Sequence, residues 1–228
     1  MGITRLKEPH PRVRPLRTHV HSFPLVAAFP LPPVREKRLP ALDLVLASRH
    51  SHRDFKKPLP LDRLGDLLWY AARVREQRGA DGCPWESRVA PSAGGCHPIH
   101  VAVLRASGAE KLALIYDGSS HALGVVDDGG VDLRQCLREI AKCLPFGKGT
   151  ILWFLADTMR TGAKYRNPES LMWRDSGALL AIFCLVAEAL GLEACGVGIH
   201  ETPALRKLFK LSVSVVGMGG CIVAAPSS

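Results

Sequence analysis

Hydrophobic positions follow a helical period in five stretches of the chain. The stripe from Leu64 to Ala71 has i, i+3, i+4, i+7 spacing and predicts an amphipathic helix over about 61–73. The other predicted helices are a short one ending at the basic stretch after residue 46, and three over about 133–144, 176–190 and 204–210. The helix at 176–190, with Asp175 near its start, is apolar on nearly every face. We therefore expect it in the core or in a subunit interface.

Apolar runs of strand length alternate with these helices. The predicted strands are Ile99 to Leu104, Leu112 to Tyr116, Thr150 to Leu155 and Val213 to Val223. The first two flank a turn at Gly108 and are predicted to form a hairpin, whereas residues 74–90 carry glycine and mixed charge and are predicted to be a loop. Hairpins and helices in mixed order favour an α+β fold over a doubly wound sheet.

Charge and proline are concentrated at the start of the chain. The 228 residues carry a net charge of +9 and suit one large domain or two small ones. Residues 1–40 contribute +6 of that charge and eight of the seventeen prolines, which predicts an extended or partly disordered basic arm, with a domain over 41–228. Such an arm suits contact with a partner subunit, contact with an acidic partner, or solvation alone. Because the rest of the chain carries only +3, no nucleic-acid partner is predicted.

Several classes of site and location are not supported by the sequence. No run is predicted to span a bilayer and no signal peptide is recognised, so we expect a cytoplasmic protein without a membrane partner. The seven cysteines are scattered without Cys-x-x-Cys pairs, which indicates neither a disulfide framework nor a zinc site. The His50/His52 and His97/His100 pairs lack a carboxylate or cysteine at ligand spacing, so no metal site is predicted. Rossmann, P-loop and Gly-x-Ser-x-Gly motifs are absent.

The basic stretch Arg49, His50, Ser51, His52 and Arg53 is a candidate phosphate site. Two guanidinium groups four residues apart, with a hydroxyl between them, can converge on one oxyanion. The alternative is a solvated basic run at a helix end.

A second candidate is the loop formed by Pro91, Ser92, Ala93, Gly94 and Gly95. Adjacent glycines let the backbone approach a ligand closely and turn its amides inward. The alternative is an ordinary tight turn before the strand at Ile99.

Together, in this order, the two stretches resemble the nitroreductase-like family of FMN-dependent oxidoreductases, from about residue 43 almost to the end of the chain. The resemblance implies a central, mostly antiparallel sheet flanked by helices. It also implies that Arg49, Ser51 and Arg53, with His50 among them, hold the FMN phosphate. A third matching segment, Gly196, Val197 and Gly198, lies near the reactive ring edge in the family. In family dimers the loop at 91–95 reaches a flavin bound mainly by the other subunit, so a homodimer is expected.

The pair Lys164 and Tyr165 resembles the Lys-Tyr pair of the SagB-type branch, the azoline dehydrogenases. A lysine or tyrosine with a lowered pKa can accept the proton that leaves carbon while hydride passes to flavin. The alternative is a surface basic turn before the long helix. One departure concerns the C-terminus, where many members carry a basic residue for the phosphate, because residues 219–228 contain neither Lys nor Arg.

These observations predict an FMN-dependent oxidoreductase with ping-pong kinetics. A peptide azoline competes as substrate with small nitro or quinone compounds, and NAD(P)H is a candidate electron donor without a dedicated motif. A non-catalytic flavin-binding or interaction module is the alternative from another class.

Overall fold

The computed structural model describes residues 6–17, 20–34, 37–78, 85–107, 110–143 and 145–227. Gly108, Cys83 and Leu144, which entered the sequence interpretation, lie outside these ranges. The strands are β1 (His10–Pro11), β2 (Leu25–Pro30), β3 (Glu76–Arg78), β4 (Trp85–Ser87), β5 (Ile99–Ser107), β6 (Glu110–Asp117), β7 (Ala122–Val126), β8 (Thr150–Asp157), β9 (Tyr165–Arg166), β10 (Glu193–Val197) and β11 (Val215–Ala224). The helices are α1 (Leu42–Ser48), α2 (Leu61–Ala72), α3 (Leu133–Cys143), α4 (Thr158–Lys164), α5 (Glu169–Ala189) and α6 (Pro203–Leu208).

A seven-stranded antiparallel sheet is the centre of the fold. Its strand order is β10-β11-β8-β5-β6-β7-β2, so β10 and β2 are the two edges. Two small antiparallel pairs, β1 with β9 and β3 with β4, lie outside it. The predicted α+β class, with a mostly antiparallel sheet flanked by helices, is confirmed.

Both faces of the sheet are covered, which explains the continuous apolar run of its central strand. All eight residues of β8 are buried. On β5, Val101 and Val103 join one core cluster with α2 and α5, whereas Ala102 and Leu104 join a second cluster with α3 and α6. Because successive side chains point to opposite faces of the sheet, one strand contributes residues to both core clusters.

Most predicted elements are present, but several observed elements, including α4 and β10, were not predicted. The segment 74–90, predicted as a loop, contains the short strands β3 and β4. Strand β7 was not predicted, because its five residues follow the turn at 117–120 too closely to form a separate signal. Helix α5 begins at Glu169, which leaves Asp175 inside the helix rather than near its start.

The basic arm is extended, but parts of it pack on the body of the protein. Strand β2 pairs with β7 and completes the main sheet, and β1 pairs with β9. The expectation of an arm that does not pack on the domain is therefore wrong for these two segments. Their backbone groups form hydrogen bonds with strands that would otherwise have an unpaired edge.

Helix α5 is long and apolar enough, by length and composition alone, to cross a membrane. The sequence interpretation did not anticipate this. Its contacts with α2, β10 and β11 account for its apolar character as that of a helix packed on a sheet.

Candidate functional site

The predicted phosphate-binding residues follow the end of α1 and point to solvent. Arg49, His50, Ser51 and Arg53 are all exposed, and neither arginine has an ion-pair partner in the described part of the chain. The His50 Nδ1 atom lies 2.9 Å from the Ser48 carbonyl oxygen. We call these four residues the basic cluster. Its guanidinium and hydroxyl donors have the chemistry that an anionic phosphate requires.

A glycine segment adjoins the basic cluster on the edge strand β10. The His52 amide donates to the Ala194 carbonyl over 2.9 Å, two residues before Gly196. Gly196 and Gly198 are exposed while Val197 between them is buried. A Cβ atom added at Gly198 would meet nothing within 4 Å, and one added at Gly196 would lie 3.4 Å from Leu180. The segment thus presents an open, side-chain-free surface on which a planar ring can lie.

The C-terminal half of α5 contributes to the same region. Burial raises the pKa of the Cys184 thiol, and the positive charge of Arg49 opposes that rise. The ligand atoms of His50, His52 and Glu188 of α5 lie within 4.8 Å of one another, so the basic cluster is next to both α5 and β10.

The glycine loop at 91–95 is held by α5 from within the same chain. The Ser92 hydroxyl donates to one Asp175 carboxylate oxygen over 2.5 Å, and the Ala93 amide donates to the other over 3.2 Å. The Ser92 hydroxyl oxygen also accepts from the His97 amide over 2.9 Å. Burial raises the pKa of Asp175, and its bonds with Ser92 and Ala93 oppose the rise by stabilising the carboxylate. Asp175 is therefore the anchor of this loop.

The two glycines of the loop are required by backbone conformation and by space. Gly94 and Gly95 have φ angles of 59° and 63°, in the left-handed region. A Cβ atom at Gly94 would lie 2.9 Å from the Tyr165 hydroxyl oxygen, and one at Gly95 would lie 2.3 Å from the Trp85 ring. The sequence identified both positions, but not the aromatic residues against which they pack.

Lys164 and Tyr165 lie directly against this loop. The Lys164 Nζ atom donates to the Gly94 carbonyl over 2.8 Å. The helix that ends at Lys164 begins at Thr158 and is capped by Asp157, whose carboxylate accepts from the Met159 amide over 3.0 Å. The pair lies at the junction of α4 and β9, where both residues are half-buried. We call Pro91 to Gly95 with Lys164 and Tyr165 the loop cluster.

A buried charge network beneath the loop cluster was missed by the sequence analysis. Arg160, buried in α4, forms an ion pair with Glu86 at 2.9 Å, and Arg88 forms a second with Glu86 at 2.6 Å. Burial, with further lowering by Arg88 and Arg160, brings the pKa of His97 to about 4. Burial and the same arginines lower the pKa of His100 to about 3. Glu86 falls in the segment predicted as a loop, where nothing in the sequence signals a buried carboxylate.

One chain does not bring all predicted site residues together. The loop cluster is bonded to Asp175 near the start of α5, whereas the basic cluster is beside Glu188 near its end. At 1.5 Å per residue, these positions are about 20 Å apart along the helix axis. The site residues therefore form two separate groups, one at each end of α5.

Comparisons with known proteins agree with this architecture. The model of the family described as "Nitroreductase family" matches residues 46–223. A putative nitroreductase from Ralstonia eutropha JMP134 matches over 100% of both chains, with 23% identity and a TM-score of 0.67. A chain of the Escherichia coli microcin synthetase McbBCD complex, solved with truncated pro-MccB17 bound, matches over 93% of this chain and 85% of that one, with 19% identity and a TM-score of 0.63.

A third solved structure is described as a putative NADH dehydrogenase/NAD(P)H nitroreductase, from Parabacteroides distasonis. It matches over 82% of this chain and 88% of its own, with 16% identity and a TM-score of 0.53. At these identities the solved structures establish the fold alone. Comparison with curated proteins gives no significant match.

Proposed function

Because this chain belongs to the nitroreductase family, we propose that it is an FMN-dependent oxidoreductase of the SagB type, which dehydrogenates an azoline ring in a peptide or a related substrate. The observation that carries the proposal is the contact of Lys164 and Tyr165 with the glycine loop. The fold shared with a chain of the microcin synthetase complex supports it.

The described residues fit FMN in two respects. Arg49, Ser51 and Arg53 offer two cationic forks and a hydroxyl to a phosphate, and their exposure leaves the donors accessible. The open surface over Gly198 is one that a Cβ atom would partly fill, as expected where a planar ring must approach the backbone. Bound FMN supplies the two-electron acceptor for hydride.

In this proposal the residues of the chain accept the second hydrogen, which leaves the substrate as a proton. Oxidation of an azoline ring to an azole removes one hydrogen as hydride and another from the neighbouring ring atom as a proton. Lys164 Nζ is the group placed to accept that proton, and the Gly94 carbonyl holds Nζ in place through the bond seen at 2.8 Å. The Tyr165 hydroxyl, close to Gly94, can orient the substrate beside it.

The separation of the two clusters supports a homodimer with composite sites. In family dimers the glycine loop reaches a flavin bound mainly by the other subunit. Here the loop cluster carries Lys164 with it, while the basic cluster is at the far end of α5. We therefore propose that each site combines the basic cluster of one subunit with the loop cluster of its partner.

A second candidate is a general NAD(P)H-dependent reductase of nitro or quinone compounds. The full-length match to a putative nitroreductase favours it, as does the name of the Parabacteroides distasonis protein. In that case Lys164 has a structural role at the loop, and NAD(P)H is the donor. A non-catalytic flavin-binding module would retain FMN without turnover with either substrate class.

The test is the Lys164→Ala variant, with Lys207→Ala, an exposed residue of α6, as its matched control. We expect FMN content and reduction by an artificial donor to be retained, since no phosphate contact is removed. Oxidation of a peptide azoline should slow by about 10²- to 10⁴-fold, the range for a positioned base. Stopped-flow reduction of bound FMN by each substrate measures this.

Normal azoline oxidation in a fully flavinated Lys164→Ala protein would contradict the role of Lys164 as the proton acceptor, and absence of azoline oxidation in the flavinated parent protein would contradict the dehydrogenase proposal. If the parent protein oxidises NAD(P)H with nitro or quinone acceptors but no azoline, the general reductase is supported instead. Retained FMN without turnover on either class identifies a binding module.

A further inference from the structure

Three metal-ligating side chains meet beside the end of α5. The ligand atoms of His50, His52 and Glu188 all lie within 4.8 Å of one another. The two imidazole rings have centroids 4.1 Å apart at an interplanar angle of 40°. His50 is exposed, and the other two are half-buried. The cluster combines two soft nitrogen donors and one carboxylate.

The hydrogen bonds of the cluster leave a ligand atom available. Because His50 Nδ1 lies 2.9 Å from the Ser48 carbonyl, it carries the proton, and Nε2 keeps its lone pair for a cation. Metal-bound histidines are oriented in this way by a backbone carbonyl on the second nitrogen. The backbone of His52 is fixed by its bond to Ala194. Two of the ligands thus start from constrained positions.

Small side-chain rotations bring these atoms to coordination distance. Bonds of about 2.0–2.2 Å at tetrahedral angles place ligand atoms roughly 3.3 Å apart. The present spread of 4.8 Å closes by small rotations of the His52 and Glu188 side chains while His50 keeps its bond to the Ser48 carbonyl. Two histidines and one glutamate are also the protein ligands of a known class of zinc site that keeps an open position.

The surroundings contain positive charges that oppose cation binding and a carboxylate that favours it. Arg49 and Arg53 are positive neighbours in the same stretch, but they are exposed and their repulsion is screened by salt. The Glu188 carboxylate offsets one of these charges. Glu188 also lines a surface hollow of about 470 Å³ with Leu44, Val45 and Ser48, which leaves room for water or an anion as a further ligand.

We propose that His50, His52 and Glu188 form a binding site for a first-row divalent cation of the zinc class. The sequence did not predict it, because Glu188, the carboxylate of the cluster, lies far from both histidines along the chain. Helix α5 supplies that carboxylate from far along the chain. His50 also belongs to the basic cluster, but the proposal is tested by metal binding, which requires no flavin turnover.

The test is calorimetric titration of the full chain, without a histidine tag and after chelator treatment, with Zn²⁺. Co²⁺ titrated in parallel reports its coordination through its visible absorption. We expect one saturable site per chain, and Glu188→Gln and His52→Gln should each weaken binding by about tenfold or more. Glu169→Gln, at the other end of the same helix, is the matched control and should bind as the parent does. Circular dichroism verifies that each variant is folded.

Two results would overturn the proposal. One is the absence of saturable binding in the parent protein up to about millimolar Zn²⁺. The other is equal affinity in Glu188→Gln, His52→Gln and the Glu169→Gln control, which would place the metal elsewhere. A variant that loses its fold leaves the other variant and the Co²⁺ spectrum of the parent to decide.

Discussion

Arg53 is an exposed residue whose contribution to cofactor binding can be separated from folding. Replacing it with alanine removes no side-chain hydrogen bond or ion pair within the described chain but removes one cationic fork from the basic cluster. A charge-assisted hydrogen bond contributes about 1.5–3 kcal/mol, so we expect FMN affinity to fall roughly ten- to a hundredfold. Titration of FMN fluorescence measures the dissociation constant.

Arg134→Ala on α3 is the matched control for a lost surface charge. It should leave FMN affinity unchanged. Equal affinity in Arg53→Ala and the parent would remove the basic cluster from the phosphate.

His100 links the stability of the fold to pH. Its pKa is lowered from 6.5 to about 3, first by burial and then by Arg160 and Arg88. Below pH 6.5 the unfolded chain binds a proton that the folded chain resists, so stability falls as pH drops toward 4. The slope is about 1.4 kcal/mol per pH unit for one such group.

We expect His100→Leu to reduce that slope between pH 6 and pH 4 by up to about this amount. Urea unfolding at a series of pH values measures it, and His10→Leu at an exposed position is the control. An unchanged slope in His100→Leu would show that other groups set the acid sensitivity.

Residue types that bind ligands were visible in the sequence, but their partners were not. Arg49, Ser51 and Arg53 stand out because three donors occur within five residues. Glu86 and Arg160 form a buried pair although neither has a local pattern that signals burial. Pairing of this kind depends on tertiary contacts between distant segments.

At the scale of elements, the glycine segment at the end of the edge strand β10 allows a test of whether the FMN ring lies on this surface. Gly198→Ala adds a Cβ atom where nothing lies within 4 Å, so the fold should be retained. A methyl group intruding on a packed ring costs about 1–3 kcal/mol, which predicts an FMN affinity about tenfold lower or more. The thermal midpoint and the FMN dissociation constant are measured together.

Gly65→Ala on α2 is the matched control, because its added Cβ atom would make ordinary contacts at 3.6 Å from Leu31. It should leave FMN affinity as in the parent. If Gly198→Ala binds FMN normally, the ring does not lie over this segment.

Long, strongly patterned elements were predictable, whereas boundaries and edge strands were not. The predicted bounds of helix α2 are close to the observed ones, because its single apolar stripe packs on one core cluster. The start of α5 was placed seven residues too late because Asp175 has the chemistry of a helix cap, although it binds the glycine loop instead. Strand β2 was missed because prolines flank it at an edge, where a missing amide costs little.

At the scale of the whole molecule, the two clusters predict complementation between defective chains. Arg53→Ala damages the basic cluster, and Gly94→Ala strains the loop cluster at a φ of 59° and crowds Tyr165. In a composite dimer, a mixed pair contains one site with both clusters intact. Random pairing of equal amounts therefore restores FMN to about a quarter of all sites.

Co-expression followed by measurement of bound FMN per chain tests this. Each variant alone should retain little FMN. Failure of the mixture to exceed the single variants, while sedimentation shows dimers, would mean that each subunit builds its own site. A strict monomer with full flavin occupancy would remove the cross-subunit arrangement altogether.

The pairing of β1 with β9 joins two segments that are more than 150 residues apart in the chain. The Arg12 amide donates to the Lys164 carbonyl over 2.7 Å, and the Leu16 amide donates to the Ala163 carbonyl over 2.9 Å. These contacts close a very long loop, so they form only after α4 has emerged from the ribosome and folded. Since few buried groups support them, they should also open first and exchange their amide hydrogens soonest. We therefore expect the backbone at Lys164 to lose this support before the rest of the fold opens.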